Sequence, residues 1–254
     1  MQDRIVLITG ASAGIGASCA RILAPSGAKL ILAARRQERL EQLATELSRD
    51  FSTSSYVLPL EVRDRQGVES ALNSLPESWA NIDVLINSAG LSRGLDKLYE
   101  GNIDNWDEMI DTNVKGLLYV TRQVVPQMVK RGRGHIVNIG SLAGHQTYPG
   151  GNVYCGSKAA VKAISEGLKQ DLLGTPVRVT LIDPGLVETE FSVVRFRGDT
   201  ERAKGVYQGL TPLTPEDVAE VVYFCITRPD HVNINDIVLM PTAQSGSTLV
   251  HRLP

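Results

Sequence analysis

Short apolar runs punctuate the chain at residues 4–9, 29–34, 56–60, 82–86, 135–139, 177–182 and 237–239. The first, with Ile5-Val6-Leu7-Ile8 at its centre, has the unbroken apolar character of a strand buried on both faces. Longer segments with helical periodicity lie between the runs. One follows the first glycines and stops at Pro25-Ser26-Gly27; others cover about 36–47, 65–75 and 105–131, the last ended by Gly132 and Gly134. A further helix follows Tyr154, and Thr214-Pro215-Glu216-Asp217 opens another with a capping residue and a first-turn proline. Alternating strands and helices predict an α/β fold, a single-domain Rossmann-type doubly wound parallel sheet covered on both faces. With no linker or repeat, residues 1–254 read as one domain. Residues 186–212 carry no strong regular pattern, and a loop of that length is expected to be a substrate lid.

Ligands of such sheets bind beyond the carboxyl ends of the strands. The first run leads into Gly10-Ala11-Ser12-Ala13-Gly14-Ile15-Gly16, spaced G-x-x-x-G-x-G, and then into a helix. Glycines let the backbone approach a pyrophosphate, and the helix start offers free N–H groups. The second run ends in Ala34 with Arg35 and Arg36 behind it, where NAD-binding units place a carboxylate for the ribose 2′-hydroxyl. Two guanidiniums and no carboxylate favour NADP, with Arg35 ranked first; Arg36 also reads as the start of a solvated helix. The segments Asn87-Ser88-Ala89-Gly90, Gly140-Ser141 and Pro184-Gly185 follow other strand ends and gather on the same edge.

A formal net charge of −2 and a pI near 6.1 give no reason to expect nucleic acid or an anionic membrane as partner. No apolar stretch is long enough to span a bilayer, and the early glycines leave no room for a secretory signal. Cys19, Cys155 and Cys225 are odd in number and far apart, as reduced structural thiols of a cytoplasmic protein would be. Cys155 has no histidine in a motif with it, which weighs against a nucleophile.

Tyr154 and Lys158 stand four residues apart on a helix, on one face and one turn apart. Moving a phenol from its usual pKa of about 10 to about 7 takes roughly 4 kcal/mol. One positive charge about 4 Å away at an effective dielectric of about 20 supplies that much, less the cost of desolvation. The pair can therefore build a proton donor or acceptor that works near neutrality.

The ordered set Thr9–Gly16, Asn87-Ser88-Ala89-Gly90, Asn113, Ser141, Tyr154 with Lys158, and Pro184-Gly185 with Thr189 resembles the short-chain dehydrogenases/reductases over almost the full length. Within that superfamily the chain is similar to the NADP-dependent 3-hydroxy acid dehydrogenases, which act on serine, allo-threonine and related acids. That second likeness lies in the segments 149–154, 184–192, 194–199, 213–220 and 231–235. The resemblance implies that Tyr154 exchanges the proton with the substrate oxygen. It implies that Ser141 bonds that oxygen, Lys158 binds the nicotinamide ribose and lowers the tyrosine pKa, and Asn113 supports a water leading to solvent. It also implies cofactor contacts at Gly10, Ser12, Gly14, Ile15, Gly16, Arg35, Arg36, Glu61, Val62, Asn87, Ala89, Gly90, Tyr154, Lys158, Pro184, Gly185, Val187 and Thr189. No metal is implied, and the family usually forms tetramers.

Two positions depart from the family pattern. Asn87-Ser88 stands where two asparagines are frequent, and Glu61-Val62 where Asp-Val is common near the adenine. Taken alone, Ser141 reads first as a turn hydroxyl and Asn113 first as a solvated helix amide; their alignment with Tyr154 and Lys158 turns both toward catalysis. Arg195, in the expected lid, suits a substrate carboxylate because a planar guanidinium matches it bidentately; a solvated loop arginine is the competing reading. The activity expected is hydride transfer on a small 3-hydroxy acid. A carbonyl or 3-oxoacyl reductase is the enzymatic alternative, and a non-catalytic NADP-binding regulator the other.

Overall fold

The computed structural model describes residues 1–253. Seven parallel strands form one sheet: β1 (Ile5–Thr9), β2 (Lys29–Ala34), β3 (Ser55–Pro59), β4 (Val84–Asn87), β5 (Gly134–Ile139), β6 (Val177–Pro184) and β7 (Asp236–Leu239), in the order β3-β2-β1-β4-β5-β6-β7. The chain reverses direction of travel between β1 and β4, which opens a crevice at their carboxyl ends. The helices are α1 (Gly14–Leu23), α2 (Gln37–Phe51), α3 (Arg65–Asn73), α4 (Glu77–Ala80), α5 (Ile103–Ile110), α6 (Leu117–Arg131), α7 (Asn152–Asp171), α8 (Phe191–Arg195), α9 (Thr200–Gly205) and α10 (Pro215–Ile226).

Strand periodicity divides the core in two. Val6, Ile8, Leu30 and Leu32 face α1, α2 and α10, where they meet Ala20, Leu40 and Val222. Ile5, Leu7, Ile31 and Leu85 face the opposite way and pack with Val68 of α3 and with Val120, Val124 and Met128 of α6. Buried on both faces, the central strands show the unbroken apolar runs seen in the sequence.

Three details differ from the sequence expectation. The helix expected at 105–131 is interrupted by a π-helical turn, Asp111–Gly116, between α5 and α6. A side chain at Gly116 would meet Val62 Cγ2 at 2.7 Å, so glycine lets this turn close on β3's exit. The segment 186–212 contains α8 and α9, too short to impose a visible period; Asp199 caps α9 by accepting from Arg202 N. Beyond β7 the chain folds back over this segment. Gln244 Oε1 accepts from Leu186 N at 2.9 Å, and Leu253 N donates to Gly209 O at 2.7 Å. Among the described residues no helix is long and apolar enough to cross a membrane.

Candidate active site

A cleft runs along the carboxyl edge of the sheet from Arg35 and Arg36, past the glycine loop, to Lys158. Gly10 has φ +70°, and a Cβ there would lie 2.9 Å from Ala89 N. Gly16 is not part of the cleft wall. A Cβ on it would come within 2.5 Å of Gly10 O, so its role is to let α1 sit against the loop. No side chain caps α1 at Ala13, so its first N–H groups are left for an anion. Thr9 Oγ1 accepts from both Ser88 N and Ala89 N at 3.1 Å and shapes the turn opposite.

The two arginines behind β2 behave differently. Arg36 Nε reaches Ser12 Oγ at 3.2 Å, and its Nη1 reaches Glu190 at 2.9 Å. Arg39, not foreseen from the sequence, holds the other oxygen of Glu190 at 2.7 Å. Arg35 makes a long 3.5 Å contact to Glu61, whose carboxylate is held at 2.9 Å by Arg63. Arg36, ranked second from sequence, is thus the one tied to the glycine loop. Glu61 and Val62 line the cleft.

Asn87, expected among the cofactor contacts, turns its amide nitrogen elsewhere. It is buried, and its Nδ2 donates to Asn138 Oδ1 at 2.9 Å and Thr121 Oγ1 at 3.1 Å, into the core and away from the cleft. Thr112, by contrast, lines the cleft with a buried hydroxyl that has no partner; nothing in its sequence surroundings singled it out.

At the far end of the cleft, Lys158 Nζ donates to Ile139 O at 2.8 Å. A Cβ on Gly90 would lie 3.6 Å from that ammonium and 3.3 Å from Asn113 Oδ1. Asn113 is no solvated amide. Its Oδ1 accepts from Leu91 N at 2.8 Å, and its Nδ2 donates to Leu91 O at 2.8 Å and Ser157 Oγ at 3.0 Å. The π-helical turn aims it inward, a distortion common at functional sites. Ser157 Oγ in turn donates to Tyr154 O, so Asn113 pins the helix that carries Tyr154 and Lys158.

A second cavity of about 510 Å³ adjoins the first across Ile15, Ile139, Thr189 and Phe191, and Ser141, Tyr154 and Arg195 open into it. Pro184, Gly185 and Val187 line this cavity rather than the cleft, while Thr189 borders both. Ser141 Oγ accepts from Ala143 N at 3.1 Å and donates to Pro184 O at 3.4 Å. Its turn role is therefore real, and it stands beside Tyr154 as well.

The guanidinium carbon of Arg195 lies 5.4 Å from the Tyr154 ring centroid and 4.9 Å from that of Phe191. Its Nη2 donates to Tyr148 Oη at 3.1 Å, and its buried Nε has no partner. Burial pushes the Tyr154 phenol up, while Arg195 and a hydrogen bond with Ser141 pull it down. Burial draws Lys158 down to about 8, opposed by Asp183. The cation that bears on the Tyr154 ring is thus Arg195, whereas Lys158 turns toward Ile139. Side chains missed from sequence include Tyr148, Tyr207 and Gln244. Tyr148, just ahead of α7 in Tyr148-Pro149-Gly150-Gly151, was the one with a local signal.

The short chain dehydrogenase family profile matches residues 4–199. The chain is 51% identical over 250 residues to the NADP-dependent 3-hydroxy acid dehydrogenase YdfG of Escherichia coli (strain K12), covering 98% of this chain and 99% of that one. The NADP-dependent 3-hydroxy acid dehydrogenase of Schizosaccharomyces pombe is 46% identical over 253 residues, 99% of this chain and 98% of that one. Among solved structures, the closed form of serine dehydrogenase complexed with NADP+ superposes with a TM-score of 0.92 at 50% identity, covering 98% of this chain and 100% of that one. With the parallel sheet, the glycine loop and the Tyr154–Lys158 helix in place, the chain belongs to the short-chain dehydrogenase family.

Proposed function

We propose that the protein is an NADP-dependent dehydrogenase of small 3-hydroxy acids, interconverting them with their 3-oxo acids or semialdehydes. The observation that carries the substrate class is Arg195, a guanidinium with an unpartnered buried Nε beside Tyr154 in a cavity walled by Phe191 and Tyr148. Such a group accepts a carboxylate bidentately. A relative 51% identical over 98% of the chain bears the same activity in its name.

The residues present suit NADP. The uncapped start of α1 and the bare backbone at Gly10 and Gly14 suit a pyrophosphate, and Arg36 with Arg35 suits a 2′-phosphate. When bound, the nicotinamide supplies the hydride acceptor or donor. The protein does the rest. Arg195 orients the substrate by its carboxylate, Ser141 holds the reacting oxygen, and Tyr154 Oη gives or takes its proton. Lys158, a cation drawn to about 8 by burial, faces the cleft beside Gly90 and supports the ribose. Asn113 keeps α7 in register with that cleft.

The segment 186–212 serves as the substrate-covering part of a single domain. The exposed Leu118 and Ile103 and the exposed Ala159 and Ala163 on α7 favour a homotetramer, and three free buried cysteines suit the cytoplasm. The test is NADPH formation with L-serine, L-allo-threonine and 3-hydroxyisobutyrate, run beside NAD+. Turnover with NADP+ supports the assignment. Silence on all three acids, with NADPH-dependent reduction of neutral ketones, moves the function to a carbonyl reductase.

A further inference from the structure

Behind the candidate site lies a chain of charged side chains that the roles above do not use. Asp183, near the end of β6, is fully buried. Its Oδ1 accepts from Ser141 N at 2.7 Å, and its Oδ2 accepts from His145 Nε2 at 2.5 Å. His145 Nδ1 lies 3.1 Å from Lys162 Nζ. An ammonium only donates, so Nδ1 is the acceptor and the ring proton sits on Nε2, aimed at Asp183. The site is also shaped for this carboxylate: a Cβ on Gly140 would fall 1.8 Å from Asp183 Oδ1.

The charges facing Asp183 come from three sides. Lys158 and Lys162 belong to α7, and His145 follows Ser141 in the chain. Asp236 of β7 brings a like charge, with a carboxylate oxygen within 4.8 Å of a ring nitrogen of His145 and of a carboxylate oxygen of Asp183. The direct 2.5 Å contact between His145 and Asp183 leaves no space for a cation between them, so the cluster works as a hydrogen-bonded chain.

We propose that Asp183 is a positioning residue for the reaction. Held by His145, which Lys162 braces from the other ring nitrogen, it fixes Ser141 through the backbone amide and sets a buried negative charge behind the site. The proposal rests on the roles given above to Ser141 and Lys158. An ionised Asp183 is what the chain preserves. Burial works against that ionisation, and the His145 N–H and the Ser141 amide work for it. Removing the His145 donor makes Asp183 easier to protonate, so the acidic limb of the rate profile moves to higher pH. Removing the Asp183 charge makes Lys158 easier to deprotonate, so the alkaline limb moves to lower pH.

The test uses full-length variants with NADP+ and a 3-hydroxy acid. His145→Ala is expected to lower kcat by about 10-fold to 150-fold, the range for a lost hydrogen bond to a charged group, with KM for NADP+ unchanged. Its acidic limb rises, and His145→Gln, which restores an N–H donor, recovers most of kcat. Asp183→Asn keeps an acceptor for Ser141 but no charge, and its alkaline limb falls. Tyr154→Phe serves as the control for the activity itself. If Tyr154→Phe is inactive while His145→Ala retains the parent kcat and pH profile, the positioning role is overturned. A loss of thermal stability in His145→Ala without any change in the pH profile overturns it equally. A fully active Tyr154→Phe instead removes the catalytic assignment on which the proposal rests.

Discussion

Replacing Arg195 with glutamine separates the two roles its position suggests. The guanidinium lies 5.4 Å from the Tyr154 ring centroid. A unit charge at that distance and an effective dielectric of about 20 interacts with a phenolate by about 3 kcal/mol, and partial exposure reduces this further. That loss falls on every substrate, because every substrate uses the tyrosine. The second loss falls only on substrates with a carboxylate. A charge-assisted hydrogen bond contributes about 1.5 to 3 kcal/mol, so the variant should lose about 10-fold to 150-fold more kcat/KM on a 3-hydroxy acid than on a neutral alcohol of similar size. The assay is steady-state NADPH formation with a matched pair of substrates. Equal losses on both would refute the carboxylate role and leave Arg195 as a charge acting only through Tyr154. An unchanged acid-to-alcohol ratio accompanied by a higher pKa for the tyrosine that must lose its proton in NADPH formation would show that second case directly.

Two further outcomes follow from buried polar groups. Asn87→Ala removes two hydrogen bonds inside the core and strands the acceptor on Asn138, which itself donates to Ser165 at 2.8 Å. It should cost about 1 to 3 kcal/mol of stability, read as a lower melting temperature, with NADP affinity nearly unchanged; weaker NADP binding at parental stability would restore Asn87 to the cofactor site. His135, 2% exposed, donates from Nε2 to Thr180, whose hydroxyl donates onward to Ile234 O, and its Nδ1 is buried without a partner. Burial lowers its pKa to about 3, so the unfolded chain takes a proton that the folded one refuses. Stability should therefore be intact above about pH 6.5 and fall toward pH 3 by about 1.4 kcal/mol per unit. Urea unfolding at several pH values checks this, and an identical acid loss in His135→Gln would assign it to other groups.

The features legible along the chain are those set by near neighbours. Apolar runs marked all seven strands to within a few residues, and the runs are most nearly unbroken in the central strands, where burial on both faces admits few polar positions; the edge strands β3 and β7 are only partly buried. The spacing of Gly10, Gly14 and Gly16 announced the loop, because side chains at Gly10 and Gly16 would strike Ala89 N and Gly10 O, and Gly14 takes a φ of +50°. The Tyr154–Lys158 spacing placed both residues on one helix, as observed.

Contacts between distant segments had no such local mark, and tertiary packing alone decided them. Asn87 turns inward because Thr121 and Asn138 await it across the sheet. Arg36 and Arg39 meet Glu190, more than 150 residues away in sequence. Arg195 and Tyr148 converge only once the segment between β6 and α10 is laid over α7. The Tyr154–Lys158 spacing suggested that the lysine charges the tyrosine, but a helix places side chains on a shared face without deciding which partner each one chooses. Lys158 found the Ile139 carbonyl, and the guanidinium nearest the Tyr154 ring arrives from the segment laid over it.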